Sequence, residues 1–380
     1  MVLVYSHLIR YPCPISIGSP WNTGIILGPL TCTQLCTGIL LGSHYSPGTH
    51  TAYYSVMHTH REVYHGPVYR LLHSSGAGGV FLGVLVHVVR GVLQGAYTYI
   101  SSVLATGTVV YGVLVGVAFL GYVLPWGTMS YWGATVITNL YTGIPGMVPW
   151  FLGGYSLGGP SVPRYFMVHP LVPVPVSVTL VLHVLYLHGG SSSTGTGYGS
   201  NSRVHFHLWV VHKDPGTVGD VSLGVGLVQV YQGTVVLAHP DNSTEASVVF
   251  TPLHIVPEWY YLGYYSVLKA LPGTTSGFLG MTCSVLGAGT GGEPYTGTGT
   301  LVVPGGTGCT GRYTLVLLVR VPLVGYGWVG VQLPQGTMVY YGRGYVWVSV
   351  GCNLGYTLYT LPVPTAPVPR GLTVPPRPSE

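Results

Sequence analysis

Two pairs of histidines share one spacing: His73 with His87, and His169 with His183. Fourteen residues of α-helix make nearly four turns, so both members of a pair leave from about the same helix face. At a rise of about 1.5 Å per residue they stand roughly 21 Å apart along the axis. Two such helices running in the same direction bring His73 opposite His169 and His87 opposite His183. Imidazole is an iron ligand, and two imidazoles facing each other across a gap can clamp one flat macrocycle from both sides. The chemistry implied is a pair of stacked b-type haems in a four-helix bundle, a two-step electron wire across most of a bilayer core about 30 Å thick.

Elements able to position such pairs are written in the distribution of charge. Only 6% of the 380 residues are charged, and mean hydropathy is +0.48. No Asp, Glu, Lys or Arg stands between Arg10 and Arg61, between Arg90 and Arg164, or between Arg164 and Arg203. A soluble domain carries about 25% charged residues, so these gaps read as lipid-spanning segments. The expectation is an all-α, multi-pass integral membrane protein with eight transmembrane helices, roughly 21–42, 67–95, 101–124, 166–187, 217–237, 260–287, 306–326 and 337–361. The first four form the diheme bundle. Residues 1–200 are read as an amino-terminal diheme domain, and 201–380 as a carboxy-terminal domain of about four spans that completes the binding pockets. The Gly, Ser and Thr run from Gly189 to Ser202 is read as the flexible division between them. Pro125 to Val162 reads as an uncharged, aromatic and Gly-rich connection, tolerable at membrane depth only if buried in protein or lining a cavity. The Pro-rich tail from Pro362 reads as an extended terminus.

The thirteen basic residues are scattered singly, which argues against nucleic acid and for membrane subunits and lipids as partners. Arg10, Lys213 and the tail arginines Arg370 and Arg377 share one face if there are eight spans, and that face is the candidate positive side. Six cysteines give no disulfide framework and no Cys-x-x-Cys-His haem attachment run. Cys32 and Cys36, one turn apart, read as small packing residues rather than metal ligands. Met1 to Pro14 has neither the apolar run nor the small-residue site of a cleavable signal and reads as mature sequence.

Around the first histidine pair, Arg70 precedes His73 by three residues and Arg90 follows His87 by three. An arginine at each end of a diheme helix supplies a cation for haem propionates; the alternative is that both snorkel to the interfaces. Glycines repeat the fourteen-residue interval, Gly24 with Gly38 and Gly107 with Gly121. Only glycine leaves room for a macrocycle lying against a helix backbone, although among 58 glycines a chance pair competes with that reading.

Three runs then resemble one family. Gly121-Tyr-Val-Leu-Pro-Trp-Gly127, Met129-Ser-Tyr-Trp-Gly-Ala-Thr-Val-Ile-Thr-Asn139 and Pro257-Glu-Trp-Tyr260 are similar to cytochrome b of the respiratory quinol–cytochrome c oxidoreductase, complex III. The likeness runs from Trp21 to about Leu361. The related cytochrome b6f type is a split chain with one extra residue between the histidines of its fourth helix, and this chain has neither feature.

The resemblance implies two b haems, a low-potential one at His73/His169 and a high-potential one at His87/His183. It also implies a ubiquinol/ubiquinone substrate, the Rieske iron–sulfur protein and cytochrome c1 among the partner subunits, and a homodimeric complex in the mitochondrial inner membrane. Quinol is then oxidised on the outer side and quinone reduced on the inner side, with electrons crossing between the haems and a proton gradient as the product (Q cycle). In the oxidising pocket the matching positions are Pro257, Glu258 and Tyr265, with Tyr122 and Gly133 on the other wall. A carboxylate at a pocket edge can take one of the two quinol protons outward, while Glu258 could also be a dipole-stabilised acid at a helix start. In the reducing pocket the matches are His188, Asp214 and, in a changed loop, Ser192; a titratable His and a carboxylate suit proton delivery to quinone.

Departures from the family pattern are a shortened amino-terminal extension, Arg320 within the seventh span, and an altered Gly287–Gly311 segment. Two rival functions remain: a diheme b-type subunit of another membrane oxidoreductase, which has no need of Pro257–Tyr260, and a non-redox proton-coupled transporter, which binds no haem.

Overall fold

A computed structural model of the chain describes residues 4–93, 101–190, 192, 202–207, 210–219, 238–290 and 325–360. It is mostly helical. The main helices are α1 (Thr23–Gly42), α2 (Ala52–Arg61), α3 (Gly66–Leu93), α4 (Ser101–Val123), α5 (Thr128–Asn139), α6 (Met147–Leu152), α7 (Ser161–Leu171), α8 (Pro173–Gly190), α9 (Leu262–Ala270), α10 (Thr274–Thr290) and α11 (Gly336–Thr360). One short exception to the all-helical expectation is an antiparallel pair, β1 (Pro12–Pro14) with β2 (Arg203–His205), in the register Pro12 to His205 and Pro14 to Arg203.

Among the described residues four segments are long and apolar enough to cross a membrane: Ser19–Gly42, Gly66–Gly91, Ser102–Val123 and Ser161–Gly190. The last joins α7 to α8. Pro170, Pro173 and Pro175 remove amide donors near Val172, and the expected span 166–187 is divided there into two helices. In the bundle α1 packs on α3, and α4 packs on both α7 and α8. Ile39, Leu82, Val178 and Val181 point outward and exposed, the arrangement of a bundle whose outer surface meets lipid. Cys32 and Cys36 are also exposed on α1, which overturns their reading as packing residues.

Two small cores close the ends of the bundle. At one end Leu120, Val123, Trp126, Tyr131, Ala134, Leu152, Val162 and Tyr165 bury one another, with Ala52 of α2 beneath them. The uncharged connection 125–162 is therefore not irregular: it folds into α5 and α6 over this end, with Met129, Ser130, Tyr131, Ala134 and Thr138 buried. The segment 238–250 straps it from outside. Thr128 N–H donates to Thr244 O (3.0 Å), Ala246 N–H to Trp126 O (3.0 Å), and Asn242 Oδ1 accepts from Ser130 N–H at 2.8 Å, capping α5 from a distant point in the chain. A side chain at Gly127 would strike the Asn242 backbone at 2.3 Å, so glycine is required there. At the other end Tyr11, Cys13, Ile17 and Val210 form the second core with Trp21 and Phe206.

The expected single span 260–287 is broken. After α9, Pro272 removes a donor and Gly273 takes φ +79°, turning the chain before α10. Lys269 closes this corner by donating to the carbonyls of Val329, Gly330 and Gln332. Of the other expected features, residues 220–237, the Gly/Ser run apart from Ser192 and its ends, 291–324 with Arg320, and the tail lie outside the described residues.

Candidate functional site

The four histidines meet in two couples inside the bundle. The rings of His73 and His169 are 6.2 Å apart centre to centre, and those of His87 and His183 are 6.3 Å apart. A metal–imidazole bond of about 2.0 Å on each side, plus about 1.15 Å from nitrogen to ring centre, places two trans imidazoles about 6.3 Å apart. Both couples match the separation that one shared iron would require.

Hydrogen bonds select the ligand atom. Thr37 Oγ1 donates to Thr33 O (2.6 Å) and lies 3.0 Å from His73 Nδ1. Thr106 Oγ1 donates to Ser102 O (2.8 Å) and lies 3.0 Å from His183 Nδ1. With each hydroxyl proton already committed, the threonine oxygen accepts from Nδ1–H. His169 Nδ1–H donates to Val117 O at 2.9 Å. In these three rings Nε2 is left as the bare nitrogen, the one that could ligate a metal, while the outer hydrogen bond fixes tautomer and orientation. At His87, Nδ1 is 3.2 Å from Thr23 Oγ1 and also 3.3 Å from an Arg90 guanidinium nitrogen.

The glycines oppose these rings one for one. A Cβ at Gly24 would lie 3.3 Å from His87 Cε1, at Gly38 2.9 Å from His73 Cε1, at Gly107 3.2 Å from His183 Cε1, and at Gly121 2.5 Å from His169 Cε1. What each missing side chain admits is thus a ligand imidazole of the neighbouring helix. Three of the four glycines follow a threonine, Thr23, Thr37 and Thr106, and those threonines hold the rings. That repeated Thr-Gly dipeptide was a signal in the sequence that the histidine reading did not use. Arg90 Nε is buried without a hydrogen-bond partner, and Arg70 brings its charge close to His73. Arg90 thus keeps a buried donor that an anionic group could take, and the donor set as a whole would fit a b haem in each couple.

A second constellation lies toward the α5–α6 end. Glu258 precedes the single turn Trp259–Tyr261. That turn is pinned to the bundle by Tyr260, stacked on Phe81 at 4.1 Å, and by Tyr261, whose hydroxyl donates to Val115 O at 2.7 Å. Burial holds the Glu258 carboxyl above the usual carboxylate range, partly offset by the Tyr122 hydroxyl beside it. The Tyr122 hydroxyl is itself buried and short of a geometrically sound hydrogen bond, and Gly133 borders open space. Pro257, half-buried, lies just before Glu258. Tyr265 is engaged elsewhere, with the Lys269 ammonium 4.6 Å from its ring centre.

At the opposite end, His188 stacks on Tyr11 at 4.1 Å, and its Nδ1 is 3.0 Å from that of His7. Asp214 belongs to the helical residues 210–219 of the second core. Burial raises its carboxyl above the usual range, with Lys213 opposing. The Cys13 thiol is pushed up to about 11 by burial and by the nearby Asp214. Lys213 donates to Ile17 O (3.0 Å), and Asn22 Nδ2 donates to Thr217 Oγ1 (2.8 Å). Ser192 is half-buried beyond the end of α8.

Comparison with known proteins decides the family. Residues 8–191 match the model described as cytochrome b/b6/petB, and residues 245–348 match cytochrome b(C-terminal)/b6/petD. The chain belongs to the cytochrome b family. It is 35% identical over 354 residues to cytochrome b of Plasmodium chabaudi, covering 90% of this chain and 91% of that one. It is 37% identical over 352 residues to cytochrome b of Toxoplasma gondii, covering 90% and 93%. A solved structure of a hyperthermophilic respiratory complex III has a chain with the same fold, at TM-score 0.82 and 22% identity over 94% of this chain and 95% of its own. Membership in the cytochrome b family implies b-type haem binding, and places this chain among multi-pass respiratory membrane proteins.

Proposed function

We propose that His73 with His169 and His87 with His183 each hold one b haem, in the core subunit of a ubiquinol–cytochrome c reductase. The observation that carries this reading is the pair of imidazole couples at 6.2 and 6.3 Å with their outer nitrogens held by Thr37, Thr106 and Val117. When bound, the two haems supply one-electron transfer between the two faces of the membrane. The residues of the chain orient the rings, exclude side chains at Gly24, Gly38, Gly107 and Gly121, and neutralise propionates through Arg70 and Arg90.

Quinol is oxidised in the pocket of Glu258, Tyr122, Gly133 and Pro257, where the buried carboxyl takes a proton from the substrate hydroxyl. Quinone is reduced near His188 and Asp214, whose protons come from the opposite aqueous phase. Because the two constellations sit at opposite ends of the bundle, proton release and proton uptake occur on different sides, and turnover builds a gradient. The electron acceptors outside this chain are an iron–sulfur protein of Rieske type and cytochrome c1, within a dimeric complex. Eight spans and a mitochondrial inner-membrane location complete the proposal, supported by the near-complete cover of the Plasmodium and Toxoplasma relatives.

Redox titration of dithionite-minus-oxidised absorption, wild type against His183→Leu, tests the haem assignment. Two b-type components in the wild type and loss of the higher-potential one in the variant support it. One component in the wild type, or two in the variant, overturns it.

A further inference from the structure

We propose that His7 is the residue through which protons from the aqueous phase reach His188. The proposal rests on the reading of His188 as a group that protonates quinone. His7 lies on a single helical turn, Tyr5–Ile9, before β1, and is half-buried, between His188 on one side and solvent on the other. Its Nδ1 is 3.0 Å from His188 Nδ1, and the rings are nearly parallel, 14° apart at 5.2 Å between centres. Two neutral imidazoles can make that contact only with one Nδ1 protonated and the other bare, so the pair shares a single proton across the gap. Each ring keeps a second nitrogen, and a proton accepted at one end of the pair can leave from the other.

The turn is held in register rather than loosely laid on. Arg10 N–H donates to Tyr5 O (2.9 Å), the Arg10 guanidinium covers the Tyr5 ring at 5.0 Å, and Arg10 O lies 3.3 Å from His205 Nδ1. Immediately beyond, β1 pairs with β2. Ionisable groups around the pair include Tyr11 stacked on His188, Arg10 turned to Tyr5, His205 on Arg10, and, one strand further in, Cys13 with Asp214, Lys213 and Arg203.

The step is a proton transfer and balances simply. A His188 N–H bond breaks as the quinone oxygen gains that proton, His188 regains one from His7, and His7 regains one from water. The electrons reducing the quinone are those released by quinol at the other pocket.

The test uses the whole membrane complex and turnover per b haem, so that loss of assembly is not read as loss of function. His7→Gln retains a hydrogen-bonding group for His188 but cannot relay a proton. It is expected to lower turnover about tenfold, a modest share of what a positioned acid–base group contributes. The loss should grow as pH rises and protons become scarce, and added imidazole should restore the rate. Turnover within twofold of wild type at every pH overturns the relay, as does a loss that is independent of pH and indifferent to imidazole, which marks a purely structural contact. His188→Gln separates the two levels: if it too turns over like wild type, the quinone reading of that site fails, whereas loss in His188→Gln beside a silent His7→Gln fails the relay alone.

Discussion

The glycines opposite the four histidines allow a graded prediction. Carbon atoms pack comfortably at about 3.5–4.0 Å. An alanine methyl at Gly121 would start 2.5 Å from His169 Cε1, and one at Gly38 2.9 Å from His73 Cε1, while those at Gly107 and Gly24 would start at 3.2 and 3.3 Å. The required retreat is about 1 Å at Gly121 and a few tenths of an ångström at Gly24. An imidazole cannot fold away as a flexible chain can, so it must swing off the axis it shares with its partner. Overpacking of this kind costs about 1–3 kcal/mol, or roughly fivefold to 150-fold in retention of the group between the rings. Gly121→Ala should lose most of the component at His73/His169, Gly38→Ala part of it, and Gly107→Ala and Gly24→Ala should keep nearly full content at His87/His183. The assay is haem per complex from reduced-minus-oxidised spectra, resolved by redox titration into the two components. Equal effects at all four positions, or loss of the component whose ring the glycine does not face, would refute the reasoning.

Two further outcomes follow from hydrogen bonds and charge. Thr37→Val removes the acceptor of His73 Nδ1–H, which makes the imidazole a poorer donor to iron. A hydrogen bond worth about 0.5–1.5 kcal/mol corresponds to an upward shift of about 20–65 mV in a one-electron potential, confined to the first couple and read by the same titration; an unchanged or lowered potential contradicts it. Glu258 has its carboxyl raised by burial. Below that raised value it is already protonated and cannot accept a quinol proton, so the oxidation rate should climb as pH rises through it. Glu258→Gln should flatten that limb and lower the rate about a hundredfold, whereas an intact limb in the variant assigns the titration to another group.

The pairing of the four histidines was legible because spacing ties side chains to helical register: a fourteen-residue interval that occurs twice leaves few alternatives to a shared face. The glycine partners were legible as spacing but not as contacts, since the sequence does not say which ring a glycine faces. Absence of charge was a poorer guide. It carried the sixth span straight through Pro272-Gly273, although that dipeptide is a turn signal, and it left α5 and α6 as a connection because uncharged surface helices lack a charge boundary. His7 escaped notice because its meaning depends on a partner 181 residues away.

The glycine and threonine contacts around the histidine couples each join two helices: Gly24 and Thr23 to His87, Gly38 and Thr37 to His73, Gly107 and Thr106 to His183, Gly121 to His169. Inserting or deleting one residue inside any of these helices rotates everything beyond it by about 100°. A single such change would uncouple a glycine from its ring at one level while leaving the other level in place. Length within the spans is therefore far more tightly constrained than composition, and a chain this rich in Gly and Val can drift widely in side chains while its indels are confined to the turns.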